Sequence, residues 1–331
     1  MTFLDFLMLS TSQSEKMDEI KHKFIEVNGL KLHVAEIGSE SSTSLVVVFL
    51  HGFPEIWYSW RYQMLAIATS GCFRAIAFDY RGYGLSGKPG VPEKTTFVGL
   101  VNDLLGLLDA LSIPKAFLVG KDFGAFVTSL FVVLHEERVS GFVTMGVPFM
   151  LPGPSDYDKY LPEGFYISRW AEPGRAEADF GRFDAKTVVR KIYISFSRSE
   201  LPIADENQEI LDLVEPGTPL PFWLSEKDLA IYGALYEKSG FQTALKVPYR
   251  AMGKEMNVTE RMVKVPALLI MGEKDYVLKF PGMEEYISSE KLKSLAPNLE
   301  ITFMPEGTHF VQEQSPDEVN QLLLSFLHSK S

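Results

Sequence analysis

A single cysteine, Cys72, is all the thiol the 331 residues carry, so no disulfide can form within the chain and a reducing compartment suits it. Cys72 precedes an apolar run, has no motif around it, and reads as a structural residue. No apolar run approaches the roughly 18–20 residues needed to span a bilayer. The N-terminal MTFLDFLMLS is apolar but short, carries Asp5 and has no basic stretch, which argues against a secretory signal. Basic residues are in the minority, 32 Lys and Arg against 43 Asp and Glu, for a net charge of −11. That balance argues against nucleic acid or anionic lipid as a partner. No HExxH string and no Cys/His cluster occurs, so neither a metal nor another cofactor is expected. Repeats and low-complexity tracts are missing as well.

What is present is core material: 46% of the residues are hydrophobic and 12% aromatic. Short continuous apolar runs read as buried strands at Ser44–Leu50, Phe73–Phe78, Ala116–Val119, Gly141–Met145, Ala267–Met271 and Glu300–Phe303. Helical spacing appears over Val101–Leu111, Ala125–Leu134 and Val319–His328, and a hairpin-like region precedes the first run. Alternating strands and helices predict an α/β fold with a mainly parallel sheet and helices on both faces. From 149 to 258 the strand pattern gives way to Pro, Gly, charged and aromatic residues with short helical stretches. We therefore expect a core of 17–148 and 259–331 with a helical lid, 149–258, inserted between its halves. Met17 reads as a second natural start, which would make 1–16 a flexible extension.

Gly120-Lys121-Asp122-Phe123-Gly124 lies between a strand and a helix. Small residues two before and two after a central side chain are the pattern of a nucleophile elbow, as in the α/β-hydrolase fold. The turn is strained, and side chains at the glycine positions would collide with the neighbouring strand and helix. The alternative is a Gly-flanked helix cap. Aspartate at the centre carries a chemical meaning. Its carboxylate is ionised at neutral pH and attacks without help from a base. Attack on an ester would give an anhydride, whereas attack on a saturated carbon gives an alkyl ester that water can cleave. Serine at the same place would be trapped as a stable ether. Asp122 thus points to an sp³ carbon with a strained or good leaving group, an epoxide or an alkyl halide.

The remaining parts follow in order. His51-Gly52-Phe53-Pro54 follows the strand SLVVVFL, where the fold draws one oxyanion-hole amide, and the residue after the nucleophile supplies the other. These are Phe53 and Phe123. Of the six histidines, His309 follows a strand and the turn PEGT, whereas His22, His33, His51, His135 and His328 read as packing or surface residues. Asp275 lies just past ALLIM and would fix the tautomer of His309. The chain order of nucleophile, acid and histidine, 122, 275 and 309, is the one this fold uses.

His51–Met64 (HGFPEIWYSWRYQM), Asp79–Pro89 (DYRGYGLSGKP), the elbow, Gly272–Gly282 (GEKDYVLKFPG) and Gly307–Gln314 (GTHFVQEQ) together resemble the soluble epoxide hydrolases of the plant type. The resemblance runs from about Met17 to the C-terminus. It implies an aspartyl-ester mechanism in which two lid tyrosines donate to the epoxide oxygen. Those positions are Tyr166, in FYISRW, and Tyr249, in PYRAM. Ring opening releases an alkoxide, for which a phenol is a suitable donor, whereas a halide needs no proton. Haloalkane dehalogenases, a sister class, usually carry tryptophan after the nucleophile, and Phe123 has no ring N–H. The expected reaction is therefore hydrolysis of an apolar epoxide by water to a vicinal diol. Dehalogenation through the same Asp122, or a specialised-metabolism catalyst on this scaffold, stands as the alternative.

Two departures from the resemblance stand at the elbow. Lys121 replaces the usual histidine, and Phe123 the usual tryptophan. A buried lysine needs a counter-charge, and we expect it to pair with Glu55. A cytoplasmic location is expected; the ending Ser329-Lys330-Ser331 falls one leucine short of a peroxisomal signal. The sequence leaves a homodimer open.

Overall fold

The structure is a computed structural model that describes residues 17–39, 41, 44–153, 161–252 and 258–331. The expected extension, 1–16, lies outside them. Eight strands form one sheet: β1 (Lys21–Val27), β2 (Leu30–Gly38), β3 (Leu45–Leu50), β4 (Phe73–Phe78), β5 (Ala116–Lys121), β6 (Val139–Met145), β7 (Ala267–Gly272) and β8 (Leu299–Met304). Their spatial order is β1-β2-β4-β3-β5-β6-β7-β8. β2 runs antiparallel to β1 and β4, and every other pairing is parallel. The α/β-hydrolase architecture read from the sequence is therefore present.

The antiparallel start has a local cause. Asn28 and Gly29 join β1 to β2 with φ of 50° and 77°, the left-handed pair that a two-residue hairpin demands. The inner strands β5 and β7 are buried along their whole length, as expected of strands covered on both faces.

Helices α1 (Arg61–Thr69), α2 (Phe97–Ala110) and α3 (Phe123–Leu134) connect the early strands. The apolar spacing located α2 four residues too late. Its true start is set by Thr96, whose side chain accepts from the Gly99 amide at 3.0 Å, a cap outside the apolar pattern. Likewise the C-terminal helix spans Pro316–Ser329, with proline in its first turn.

Between β6 and β7 the described residues form short helices and no strand, including Tyr166–Ala171, Ala185–Phe196 and Glu226–Ser239. This insert is fastened to the sheet through buried Glu313. Tyr193 and Tyr232 from the insert donate to its carboxylate at 3.1 and 3.0 Å, and Arg61 of α1 pairs with it at 2.5 Å. Burial pushes the Glu313 carboxyl up, and Arg61 with the two phenols only partly offsets it. Among the described residues no helix is long and apolar enough to cross a membrane.

Removing Glu313 leaves buried Arg61 with only Asp228 at 3.3 Å as a counter-charge and leaves the Tyr193 and Tyr232 hydroxyls without this acceptor. Glu313→Ala should therefore destabilise the fold by about 3–5 kcal/mol, read as a lower urea midpoint. An unchanged midpoint would show that Asp228 alone balances Arg61 when Glu313 is gone.

Candidate active site

The sheet presents β5 at its middle, and the chain leaves it through Asp122 at φ 54° and ψ −127°. A non-glycine residue rarely adopts this conformation, and the surroundings must hold it there. They do so by closeness. A Cβ on Gly124 would strike the carbonyl oxygens of Leu50 and His51, and one on Gly120 would strike Thr128 and the Gly124 carbonyl. The Asp122 amide donates to the Met145 carbonyl at 3.0 Å, and its carbonyl accepts from Ala125 at 2.9 Å. The elbow is thus pinned to β3, β6 and α3 together. Its carboxylate projects from the end of the sheet and keeps 20% exposure, on the side that lines a cavity.

Three of the expected residues meet there. His309, on the loop after β8, sets Nδ1 3.0 Å from both oxygens of Asp275. Asp275 follows β7, is buried, and also accepts the Val277 amide at 3.0 Å, which fixes its orientation. The other ring nitrogen, Nε2 of His309, lies 3.3 Å from Asp122 Oδ2. That contact is an electrostatic approach rather than an aligned hydrogen bond. The second oxygen, Oδ1, accepts the Phe53 amide at 3.1 Å. The two oxygens of one carboxylate are thereby distinguished.

Charge follows geometry. Burial alone would raise the Asp122 carboxyl. The contact and charge of His309, the Lys121 ammonium and the Phe123 amide outweigh it and hold the group below the ordinary carboxylate range. Burial alone would lower His309, and Lys121 lowers it further. Asp275 and Asp122 outweigh both and leave the imidazole above its usual value.

Tyr166 and Tyr249, both from the insert, line the same cavity as Asp122. Their rings meet edge to face at 6.0 Å. Burial, then neighbouring anions and phenols, raises both well above the ordinary phenol value. Both are therefore protonated donors at neutral pH. The cavity measures about 120 Å³, and its other walls are apolar, among them Phe123, Phe126, Leu151, Met252 and Phe280. Phe123 is its floor beside the carboxylate. Among the described residues no cluster of His, Cys, Asp and Glu could hold a metal ion.

The expected ion pair between Lys121 and Glu55 is not formed. Glu55 is taken up by its own loop: Oε2 accepts the Gly52 amide at 2.9 Å, and Oε1 accepts from Gln312. Burial, with Glu313 and Asp122 adding to it, pushes the Glu55 carboxyl up to about 7 against the pull of Lys121 and His309. Lys121 Nζ is buried without a hydrogen-bonding partner and stands 5.2 Å from the centre of the Phe310 ring. Its nearest interaction is therefore with an aromatic face.

Sequence reasoning missed two neighbours. Tyr276 follows Asp275, lays its ring 4.8 Å from that of His309, and sets its hydroxyl 3.4 Å from that of Tyr166. It links the imidazole wall to a phenol, and its only signal was adjacency to Asp275. Asp79 is the second. Its carboxylate accepts the Trp57 and Leu85 amides at 2.9 and 3.0 Å and meets His33 Nδ1 at 2.8 Å. It braces the loop after β3 from below, and nothing in local spacing announces that.

With this geometry in view, comparison with known proteins is informative. The sequence model described as the α/β hydrolase fold matches residues 46–316. Epoxide hydrolase 1 of Siraitia grosvenorii is 38% identical over 94% of this chain and 99% of its own length. Epoxide hydrolase 2 of the same plant is 37% identical with the same coverage. The crystal structure of an epoxide hydrolase from Vigna radiata superposes with a TM-score of 0.86 at 36% identity, covering 95% of this chain and 99% of that one. For potato epoxide hydrolase I the TM-score is 0.84 at 34% identity, covering 94% and 99%. The chain belongs to the α/β-hydrolase fold and, within it, to the plant-type epoxide hydrolases.

The charge balance at His309 is open to measurement. Asp275 stabilises the imidazolium, so Asp275→Asn should move the His309 titration to lower pH, read from its ring Cε1–H resonance. A titration left where it was, or moved up, would mean that Asp275 does not act on the ring in this way.

Proposed function

We propose that this enzyme converts an epoxide to a vicinal diol through a covalent ester on Asp122. One observation carries the reading. A single carboxylate has Oδ1 held by the Phe53 amide and Oδ2 3.3 Å from a histidine that is itself anchored on Asp275. Two phenols share its cavity.

The cycle follows from which oxygen is free. Oδ1 is held by the Phe53 amide, so Oδ2 attacks the ring carbon from the face opposite the carbon–oxygen bond that breaks. Charge moves from Asp122 to the epoxide oxygen, and Tyr166 and Tyr249 donate to it there. The ester keeps Oδ1 as its carbonyl oxygen, already beside the amides of Phe53 and Phe123. Water then gives a proton to His309 Nε2 and bonds to the Asp122 carbonyl carbon. The same amides stabilise the oxyanion. The tetrahedral adduct collapses by breaking the bond between its carbonyl carbon and Oδ2. Oδ2 takes the proton from His309 and leaves on the substrate as the second hydroxyl of the diol, and the Asp122 acid so formed returns a proton to the phenolate left by ring opening. Asp122 keeps the oxygen from water.

Among the described residues, Asp122, Tyr166 and Tyr249 are the only charged or hydroxyl-bearing side chains in the walls. An uncharged, apolar epoxide suits them. Residues 149–258 serve as a lid on the core of 17–148 and 259–331, because the two phenols belong to the insert and the carboxylate to the sheet. No observation favours a halide: Phe123 offers no ring N–H, and two donors that a halide does not need face the carboxylate. A cytoplasmic setting suits the single, unpaired Cys72.

Single turnover of an aryl epoxide in ¹⁸O-water tests the route. Label should appear first in Asp122, with the unlabelled oxygen of Asp122 in the diol. Label going directly into the diol would refute the covalent step. In addition, Tyr166→Phe should slow ester formation by about 10²-fold and leave hydrolysis of the ester nearly unchanged. An equal loss in both steps would place Tyr166 outside the proton transfer.

A further inference from the structure

Lys121 is the least explained side chain in the centre of the molecule. It ends β5, directly before Asp122, and is fully buried. Its ammonium meets no hydrogen-bond acceptor and rests 5.2 Å over the ring of Phe310, the residue that follows His309. A buried cation without a partner costs stability, and an apolar side chain of the same length would fill the space. Its location suggests what the charge does. The Phe310 ring in turn lies 5.3 Å from that of His309, and the charged groups that feel Lys121 are Asp122, His309 and Glu55, the last already occupied by Gly52 and Gln312.

We propose that Lys121 is a positioning charge that keeps His309 unprotonated during ester hydrolysis and so extends the enzyme's working range to lower pH. The inference rests on the aspartyl-ester cycle described above. In the resting protein His309 faces two anions, Asp275 at 3.0 Å and Asp122 at 3.3 Å. Both favour the imidazolium, which cannot take a proton from water. Alkylation turns Asp122 into a neutral ester and removes one of the two. His309 then faces Asp275, the neutral phenol of Tyr276 whose ring lies at 4.8 Å, Glu55 at a distance, and the Lys121 cation. With the anion in front gone, Lys121 opposes Asp275 and favours the neutral ring.

The hydrolytic step needs that form. Water loses a proton to His309 Nε2 while its oxygen bonds to the Asp122 carbonyl carbon. The ester bond to the substrate then breaks, and the departing oxygen recovers the proton from His309. Within the hydrolytic step His309 begins and ends neutral and Lys121 keeps its charge. The imidazolium of the resting protein gives its proton to solvent once Asp122 is esterified and regains one when the Asp122 carboxylate is freed. Lys121 touches neither water nor substrate in this scheme. It acts through His309 alone.

The test follows ester formation and ester hydrolysis separately between pH 5 and pH 9, by acid quench and mass spectrometry of the intact protein after mixing with styrene oxide. Lys121→Met should move the acid limb of hydrolysis up by about one pH unit, which is about a tenfold slower hydrolysis on the acid side. Ester formation should not slow, since Asp122 loses a neighbour that stabilises its anion. Lys121→Arg, which keeps the charge, should leave the limb in place. Lys121→His restores the residue that the family pattern puts there, so it folds even if methionine does not. Above the pH at which that new imidazole loses its proton, it should shift the limb in the same direction. An unmoved limb in Lys121→Met, or in Lys121→Gln should methionine not fold, with the ester forming normally, overturns the role of Lys121. Failure of the unaltered protein to form any ester would instead overturn the Asp122 cycle, and this proposal with it.

Discussion

The backbone at Asp122 passes through a conformation that L-residues avoid, φ 54° and ψ −127°, and the placement of every other site residue depends on it. Such strain survives only where the surroundings over-determine it. Here the elbow sits at the end of β5, with β3 and β6 hydrogen-bonded on either side. The carbonyls of Leu50 and His51 press so close to Gly124 that no Cβ fits. The same closeness brings the Phe53 amide to 3.1 Å from Asp122 Oδ1. The strained turn and the amide pair are therefore one feature of the packing. Relaxing the turn would move the carboxylate away from its donor and from His309 at once.

The second constraint is electrostatic. Asp122, Asp275, Glu55 and Lys121 are held close together with His309 in largely buried surroundings. Asp122 and Asp275 touch the imidazole as anions, and the raised carboxyl of Glu55 is engaged by a backbone amide and Gln312. Charges this close interact strongly at low dielectric, so a change of one unit on Asp122 is felt by all the others. In the proposed cycle that change occurs on every turnover, when the carboxylate becomes an ester. The response of His309 then depends on what stays fixed around it, and Lys121 is the fixed cation.

Legibility in the sequence followed the range of the interaction. Strands β3 to β7 were readable because burial writes a continuous apolar run, whereas β8, a largely exposed edge strand, was readable only from the short apolar ITFM. The elbow was readable because its glycines are required by contacts within a few residues, and Asp275 and His309 because each follows a strand end. Tyr166 and Tyr249 were reached only through family resemblance, since among 13 tyrosines no local rule selects two. The start of α2 was misplaced because Thr96 caps it outside the apolar periodicity. The pairing of Lys121 with Glu55 was wrong for a different reason. Charge complementarity is blind to competitors, and Glu55 had two: the Gly52 amide three residues away and Gln312 from the far end of the chain. Asp79 and Tyr276 are similar cases, defined by partners that only the folded chain supplies.

Glu313 shows how the two halves of the site are kept in register. The carboxylate of Asp122 belongs to the sheet, but the phenols that share its cavity belong to the insert. Their relative position is only as firm as the docking between those bodies. Tyr193 and Tyr232 of the insert donate to Glu313 just past the His309 loop, where Arg61 closes the network. Tyr193 also stacks on Phe310 at 4.4 Å, the ring that lies beneath the Lys121 ammonium. Phe310 thus contacts both the insert and the buried cation. A shift of the insert would displace Tyr166 and Tyr249 and, through Phe310, the charge behind His309. Donation to the epoxide oxygen and the readiness of the base in the proposed cycle are thus tied to the same seam. For that reason a polar, buried network is found where an apolar contact would hold the two bodies together but leave their register free to slide.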